Sequence, residues 1–96
     1  MSQTMAAFLE AVDLISSGHY PQAQALLTGA LATDPDNGDL YEALARLYDR
    51  SGQDEKGLAV CQAWVARYPS ENMAHSNLSV FYQKLGRIEE ALFAKA

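Results

Sequence analysis

The chain is poor in several things at once. It has one cysteine and three prolines in 96 residues, and no apolar run approaching the roughly 18 residues that cross a membrane. The lone Cys61 excludes an intrachain disulfide and fits a reducing compartment. Residues 1–45 contain no Lys or Arg but six acids (Glu10, Asp13, Asp34, Asp36, Asp39, Glu42), and the whole chain carries a formal charge of −5. Nucleic acid and anionic membrane surfaces both need a basic footprint, so neither is expected as a partner. The first residues lack the positive start of a secretory leader, and Glu10 and Asp13 interrupt their apolar run. A soluble, cytoplasmic protein is expected. No phosphate-binding loop, catalytic triad or metal-ligand spacing stands out, so no enzymatic activity, cofactor or metal is expected. No segment alternates apolar and polar residues over four or more positions, so no strand is predicted.

What the chain does have is a period. Gly18, Gly52 and Gly86 stand 34 residues apart, and their surroundings return with them. Asp34-Pro35-Asp36-Asn37 comes back as Tyr68-Pro69-Ser70-Glu71, and Leu44, Ala45 and Tyr48 come back as Leu78, Ser79 and Tyr82. A fixed period of this length marks a stack of like units. Within each unit the pattern reads helix, turn, helix. The first helix runs over Met5–Ser16 and stops at Ser17-Gly18. The second opens with Pro21 in its first turn and ends near Thr33, before Asp34-Pro35. Asn37-Gly38-Asp39 starts a third, which ends near Arg50. Gln53-Asp54 starts a fourth, which reaches about Tyr68. Ser70 is expected to cap a fifth running to Leu85-Gly86, and a sixth begins near Ile88. Each helix is marginal alone, and stacking the pairs buries their apolar faces.

These residues resemble the tetratricopeptide repeat (TPR) family, whose unit is a 34-residue antiparallel helix pair. With Gly52 at position 15 of the family pattern, the second repeat matches with Tyr41, Leu44, Ala45, Tyr48, Gly52 and Pro69, and departs with Asp54, Gly57, Cys61 and Trp64. The first matches with Ala11, Gly18, Tyr20, Ala23, Ala30 and Pro35, and departs with Glu10, where Leu is expected. The third matches with Leu78, Ser79, Tyr82, Gly86 and Ala91. The resemblance implies an all-α, right-handed TPR superhelix. One domain over 1–96 would hold about three repeats, at 4–37, 38–71 and 72–96, the last incomplete. Asp13 is polar where Leu47 and Phe81 are apolar at the position facing a preceding repeat, which places Met1 near the N-terminal edge of the stack.

The resemblance also implies a site: the first helix of each pair lines a concave groove. The groove residues would be Met5, Phe8, Leu9, Val12, Ile15 and Ser16 in the first repeat. Asp39, Glu42, Ala43, Arg46, Asp49 and Arg50 would follow in the second, and Met73, Ser76, Asn77, Val80, Gln83 and Lys84 in the third. That groove is apolar at one end and mixed in charge toward the other, as a protein partner surface can be. The function expected is a non-catalytic interaction module holding a peptide or helix. Asp39, Glu42 and Asp49 would favour basic residues on the partner. In an alternative register the first helix turns Phe8, Val12 and Ile15 into its own core, as Glu10 at a core-facing position suggests. Two further readings are a scaffold or homo-oligomer assembled through the apolar first helix or an open C-terminal end, and a small acidic chaperone of a secretion system. Family members that clamp a C-terminal carboxylate use basic residues and Asn. Here Phe8, Val12 and Met73 occupy such places beside Asn77, so binding to acidic tails is expected to be weak or absent.

Other motifs read as structure. Asp34 to Asp39 is too short of ligands for a calcium loop, since Ala45 stands where an EF-hand needs Glu. Asn77-Leu78-Ser79 is a sequon inside a helix. Cys61 is expected to be a packed thiol rather than a nucleophile with His19 or His75, Trp64 is expected in the core, and Glu89-Glu90 at a solvated helix start.

Overall fold

The computed structural model describes residues 3–87. Five helices follow one another: α1 (Gln3–Ser16), α2 (Tyr20–Thr33), α3 (Gly38–Arg50), α4 (Asp54–Arg67) and α5 (Asn72–Lys84). No strand occurs among the described residues. The expected sixth helix, with Ala91 and Glu89-Glu90, lies outside them.

The 34-residue period is a period of hydrogen bonds. Gly18, Gly52 and Gly86 all have positive φ, between 72° and 80°. At Gly52 the Gln53 N–H reaches back to the Tyr48 carbonyl (2.9 Å) and the Gly52 N–H to that of Asp49 (3.3 Å). This paired closure satisfies the last carbonyls of α3 and needs a left-handed residue, which only glycine adopts without steric cost. The same two bonds recur after α1 and after α5.

The turns between repeats recur as well. The Tyr41 hydroxyl donates to the Pro35 carbonyl (3.0 Å), and 34 residues on, His75 Nε2 lies 2.6 Å from the Pro69 carbonyl. At that atom the imidazole donates, because a carbonyl can only accept. Asn37 caps α3, its Oδ1 accepting from the Asp39 N–H at 3.0 Å. The cap of α5 is Glu71, whose carboxylate accepts from the Met73 N–H, and not Ser70. Glu71 is the 34-residue equivalent of Asn37, so the repeat register outweighs the intrinsic capping preference of serine.

The main core gathers Ala11, Ile15, Ala23 and Leu27 from the first pair with Leu40, Leu44, Leu47, Leu58, Cys61 and Phe81. A second cluster joins Tyr41, Trp64 and Ala74, with the Tyr41 and Trp64 rings stacked at 6.5 Å. Trp64 and Cys61 are therefore core residues, as expected, and burial pushes the Cys61 thiol up to about 12. Gly57 lets the Phe81 ring lie directly on α4, where no Cβ would fit. Asn77-Leu78-Ser79 lies within α5, with Leu78 and Ser79 buried.

The layering sets the shape of the stack. The first helices touch in sequence, α1 against α3 and α3 against α5, whereas α2 and α4 share no contact. Helices α1, α3 and α5 therefore form the inside of a curve, with α2 and α4 splayed on the outside.

Candidate interaction surface

The inner face takes its chemistry from three helices. On α1, Met5 and Leu9 are 45% and 46% exposed. Phe8 and Val12 are half-buried, and Phe8 packs against the main core. Ile15 is 2% exposed and belongs to that core, so it offers nothing to a partner. This corrects the groove assignment at Ile15 and bears out part of the alternative register. The cause lies at Glu10. Its equivalents Leu44 and Leu78 are buried, but a carboxylate without a partner is costly to bury, and Glu10 stays in solvent. The buried stripe of α1 runs instead through Ala11 and Ile15, with Phe8 alongside.

On α3, Asp39, Arg46, Asp49 and Arg50 are exposed, Glu42 is half-buried, and Ala43 is core rather than groove. Two of the three acids expected to attract a basic partner already have cations. Arg46 Nη2 lies 3.1 Å from Glu42 Oε1 one turn away, and Lys84 of α5 pairs with Asp49. Lys84 also lies 3.9 Å from Asp54, so its ammonium ties α5 to both α3 and α4. Asp39 makes no such pair.

On α5, Met73 (46%) and Val80 (42%) are exposed, as are Ser76 and Gln83. Asn77 is half-buried, and its side-chain amide donates to the Met73 carbonyl at 2.8 Å. That bond occupies the group a carboxylate clamp would use.

The structure also gathers residues that sequence reasoning did not join. Between the N-terminal ends of α3 and α5 and the C-terminal end of α4 lies an open cup of about 390 Å³. Asp39, Glu42 and Glu71 line it, with Trp64, Tyr68 and Met73. Glu71 went unread because Ser70 is the better intrinsic cap. The repeat register, which sets Glu71 opposite Asn37, was the signal that could have found it. Among the described residues no group of three His, Cys, Asp or Glu is placed to hold a metal ion, and no helix is long and apolar enough to cross a membrane.

Solved structures share the architecture. The chain superposes on a MamA fragment, residue 41 to the end, from Desulfovibrio magneticus RS-1. The TM-score is 0.83 at 26% identity, over 94% of this chain and 51% of that one. MamA AMB-1 gives a TM-score of 0.82 at 22% identity over 95% and 50%, and MamA MSR-1 gives 0.82 at 21% over 96% and 53%. The chain thus spans about half the length of the structures it resembles. No curated protein matches. A tetratricopeptide repeat family model matches residues 14–76, which carry two of the three glycine closures, both proline turns and most of the core. This chain belongs to the tetratricopeptide repeat family, a typically non-catalytic protein-interaction fold.

Proposed function

We propose that the chain is a non-catalytic interaction module that holds a peptide or helix of a protein partner across its inner face. One observation carries the reading. The four exposed large hydrophobic residues among those described (Met5, Leu9, Met73 and Val80) all lie on α1 and α5, and none lies on the outer helices. An apolar pair at each end of a concave face, with charge between, provides anchors and orientation together. Packed helices sit about 8–10 Å apart, so α1 and α5 are separated by roughly 16–20 Å. An extended peptide rising about 3.3 Å per residue spans that in about five or six residues. The matching ligand carries apolar residues near both ends. Basic and acidic residues between them would meet Asp39, Arg46 and Arg50.

The test is selection of peptides from a random library on the wild-type protein, followed by titration against variants. Leu9→Asp and Val80→Asp should each weaken the selected peptides at least tenfold, while Ala59→Asp on exposed α4 should not. Equal weakening by all three, or by Ala59→Asp alone, would reject the inner face.

A second reading rests on the same exposed α1 residues: two copies cover each other's Met5 and Leu9. A mass by light scattering that grows with concentration, and returns to the monomer in Leu9→Asp, would favour it.

A further inference from the structure

We propose that the cup between α3, α4 and α5 is a receptor for one arginine side chain of the partner, with the partner's adjacent backbone carbonyl bound by the Trp64 indole. The inference rests on the peptide-holding reading above and gives it a specific pocket.

Two independent observations meet in this cup. The first is charge. Asp39, Glu42 and Glu71 come from two helices and the turn before α5, and all line the same space. Arg46 offsets Glu42, and Glu71 spends one oxygen on the Met73 N–H, at a long 3.4 Å. Asp39 has no cation beside it, and its own backbone N–H is satisfied by Asn37. The cup therefore holds more negative charge than its own cations balance. The second observation is an unsatisfied donor. Trp64 is only 3% exposed, yet its indole N–H makes no hydrogen bond among the described residues. Its Nε1 lies at the wall of the cup, 3.9 Å from where a Cβ on Gly38 would stand. Glycine at 38 keeps that approach open. A buried N–H without an acceptor is unfavourable, and an incoming acceptor relieves it.

A donor beside acids is a pair of opposite demands. A simple cation satisfies the carboxylates and leaves the indole N–H unpaired. A simple anion does the reverse and meets repulsion from Asp39 and Glu71. A basic residue within a peptide satisfies both, since its side chain is cationic and its main-chain carbonyl accepts. Arginine suits the walls better than lysine. Its planar guanidinium stacks on an aromatic face such as that of Tyr68 and can bind a carboxylate through two N–H groups. A volume of about 390 Å³ is at the small end for ligand sites, which suits one side chain rather than a cofactor. The cup also adjoins Met73, one of the apolar anchors, so a peptide seated on α5 can place a neighbouring residue in it.

Trp64 is the only tryptophan, so its indole N–H gives a single, assigned signal in a ¹H–¹⁵N spectrum. The probes are Nα-acetyl-arginine amide and its neutral isostere Nα-acetyl-citrulline amide. The arginine probe should shift the indole signal saturably, with a dissociation constant on the order of millimolar, as befits a single residue. The citrulline probe should bind at least fivefold more weakly. Asp39→Asn, at an exposed side chain, should weaken the arginine probe at least threefold with the spectrum otherwise preserved. Glu71→Gln, which keeps an oxygen for the α5 cap, should do the same. Equal shifts by both probes, no shift by either, or full binding in both variants would overturn the proposal. Leu9→Asp separates the two ideas. If it abolishes selected peptides while the arginine probe still titrates Trp64, both stand. If the probe fails while peptides still depend on Leu9, only the cup is lost, and if the probe titrates while peptides ignore Leu9, only the inner-face reading falls.

Discussion

Replacing Gly57 by alanine tests the packing of the stack most directly, because two known effects then oppose each other. Alanine in place of glycine within a helix is favourable by about 1 kcal/mol. At Gly57, however, the new Cβ would stand 2.2 Å from Cε1 and 2.3 Å from Cζ of Phe81, where ordinary contact begins near 3.4 Å. The ring has to retreat by more than an ångström, and at 1% exposure it has no solvent-filled space to enter. Overpacking of this kind costs about 1–3 kcal/mol, and the upper part of that range applies to a clash with a whole ring edge. The net expectation is destabilisation of about 1–2 kcal/mol, or a fall in Tm of roughly 5–10 °C for a domain of this size. Gly29 provides the control. It also lies inside a helix, and its Cβ would meet nothing within 4 Å. Gly29→Ala should therefore raise Tm by a few degrees. Thermal melts followed by circular dichroism read both. Trimming the ring with Phe81→Leu should remove most of the penalty at Gly57, a coupling that a double-mutant cycle measures. If Gly57→Ala and Gly29→Ala shift Tm in the same direction, the close approach of α4 to α5 is wrong.

Two further predictions concern the inner helix and the buried thiol. Ile15→Ala should cost about 2–5 kcal/mol in urea denaturation, as a fully buried side chain does, while Leu9→Ala, almost half exposed, should stay within about 0.5 kcal/mol; the reverse order would put Ile15 back in the groove. Because burial holds the folded Cys61 protonated up to about 12 while the unfolded thiol ionises from 9.0, the unfolded state binds fewer protons above pH 9, and stability falls as pH rises. The loss between pH 9 and 10 should be about 1 kcal/mol and should vanish in Cys61→Ala; burial raises Tyr48 from 10.0 as well, so its contribution enters above this window.

Much of the fold was legible because its determinants are local. A left-handed closure needs glycine, a proline restrains the residue before it, and both recur every 34 residues, so Gly18, Gly52, Gly86, Pro35 and Pro69 marked the helix ends to within a residue or two. Position 4 carries different residues, Tyr41 and His75, yet each donates to the proline carbonyl before it, so the register survives a change of side chain. The cap at Glu71 was missed when composition was weighed without the register.

The candidate surface was legible only as a list of positions. The sequence determined that Met5, Leu9, Met73 and Val80 share the same kind of helix and that the N-terminal half is acidic. Only the tertiary structure decided that Ile15 turns inward while Glu10 turns out, because that choice compares the burial of a whole helix face in two orientations. It also decided that Lys84 takes up Asp49, 35 residues away, and that Asp39, Trp64 and Glu71 border one cup. Helical periodicity fixes which residues share a face of their own helix. Which faces meet, and which charges and donors are left without partners, depends on how the helices pack, and no single helix encodes that.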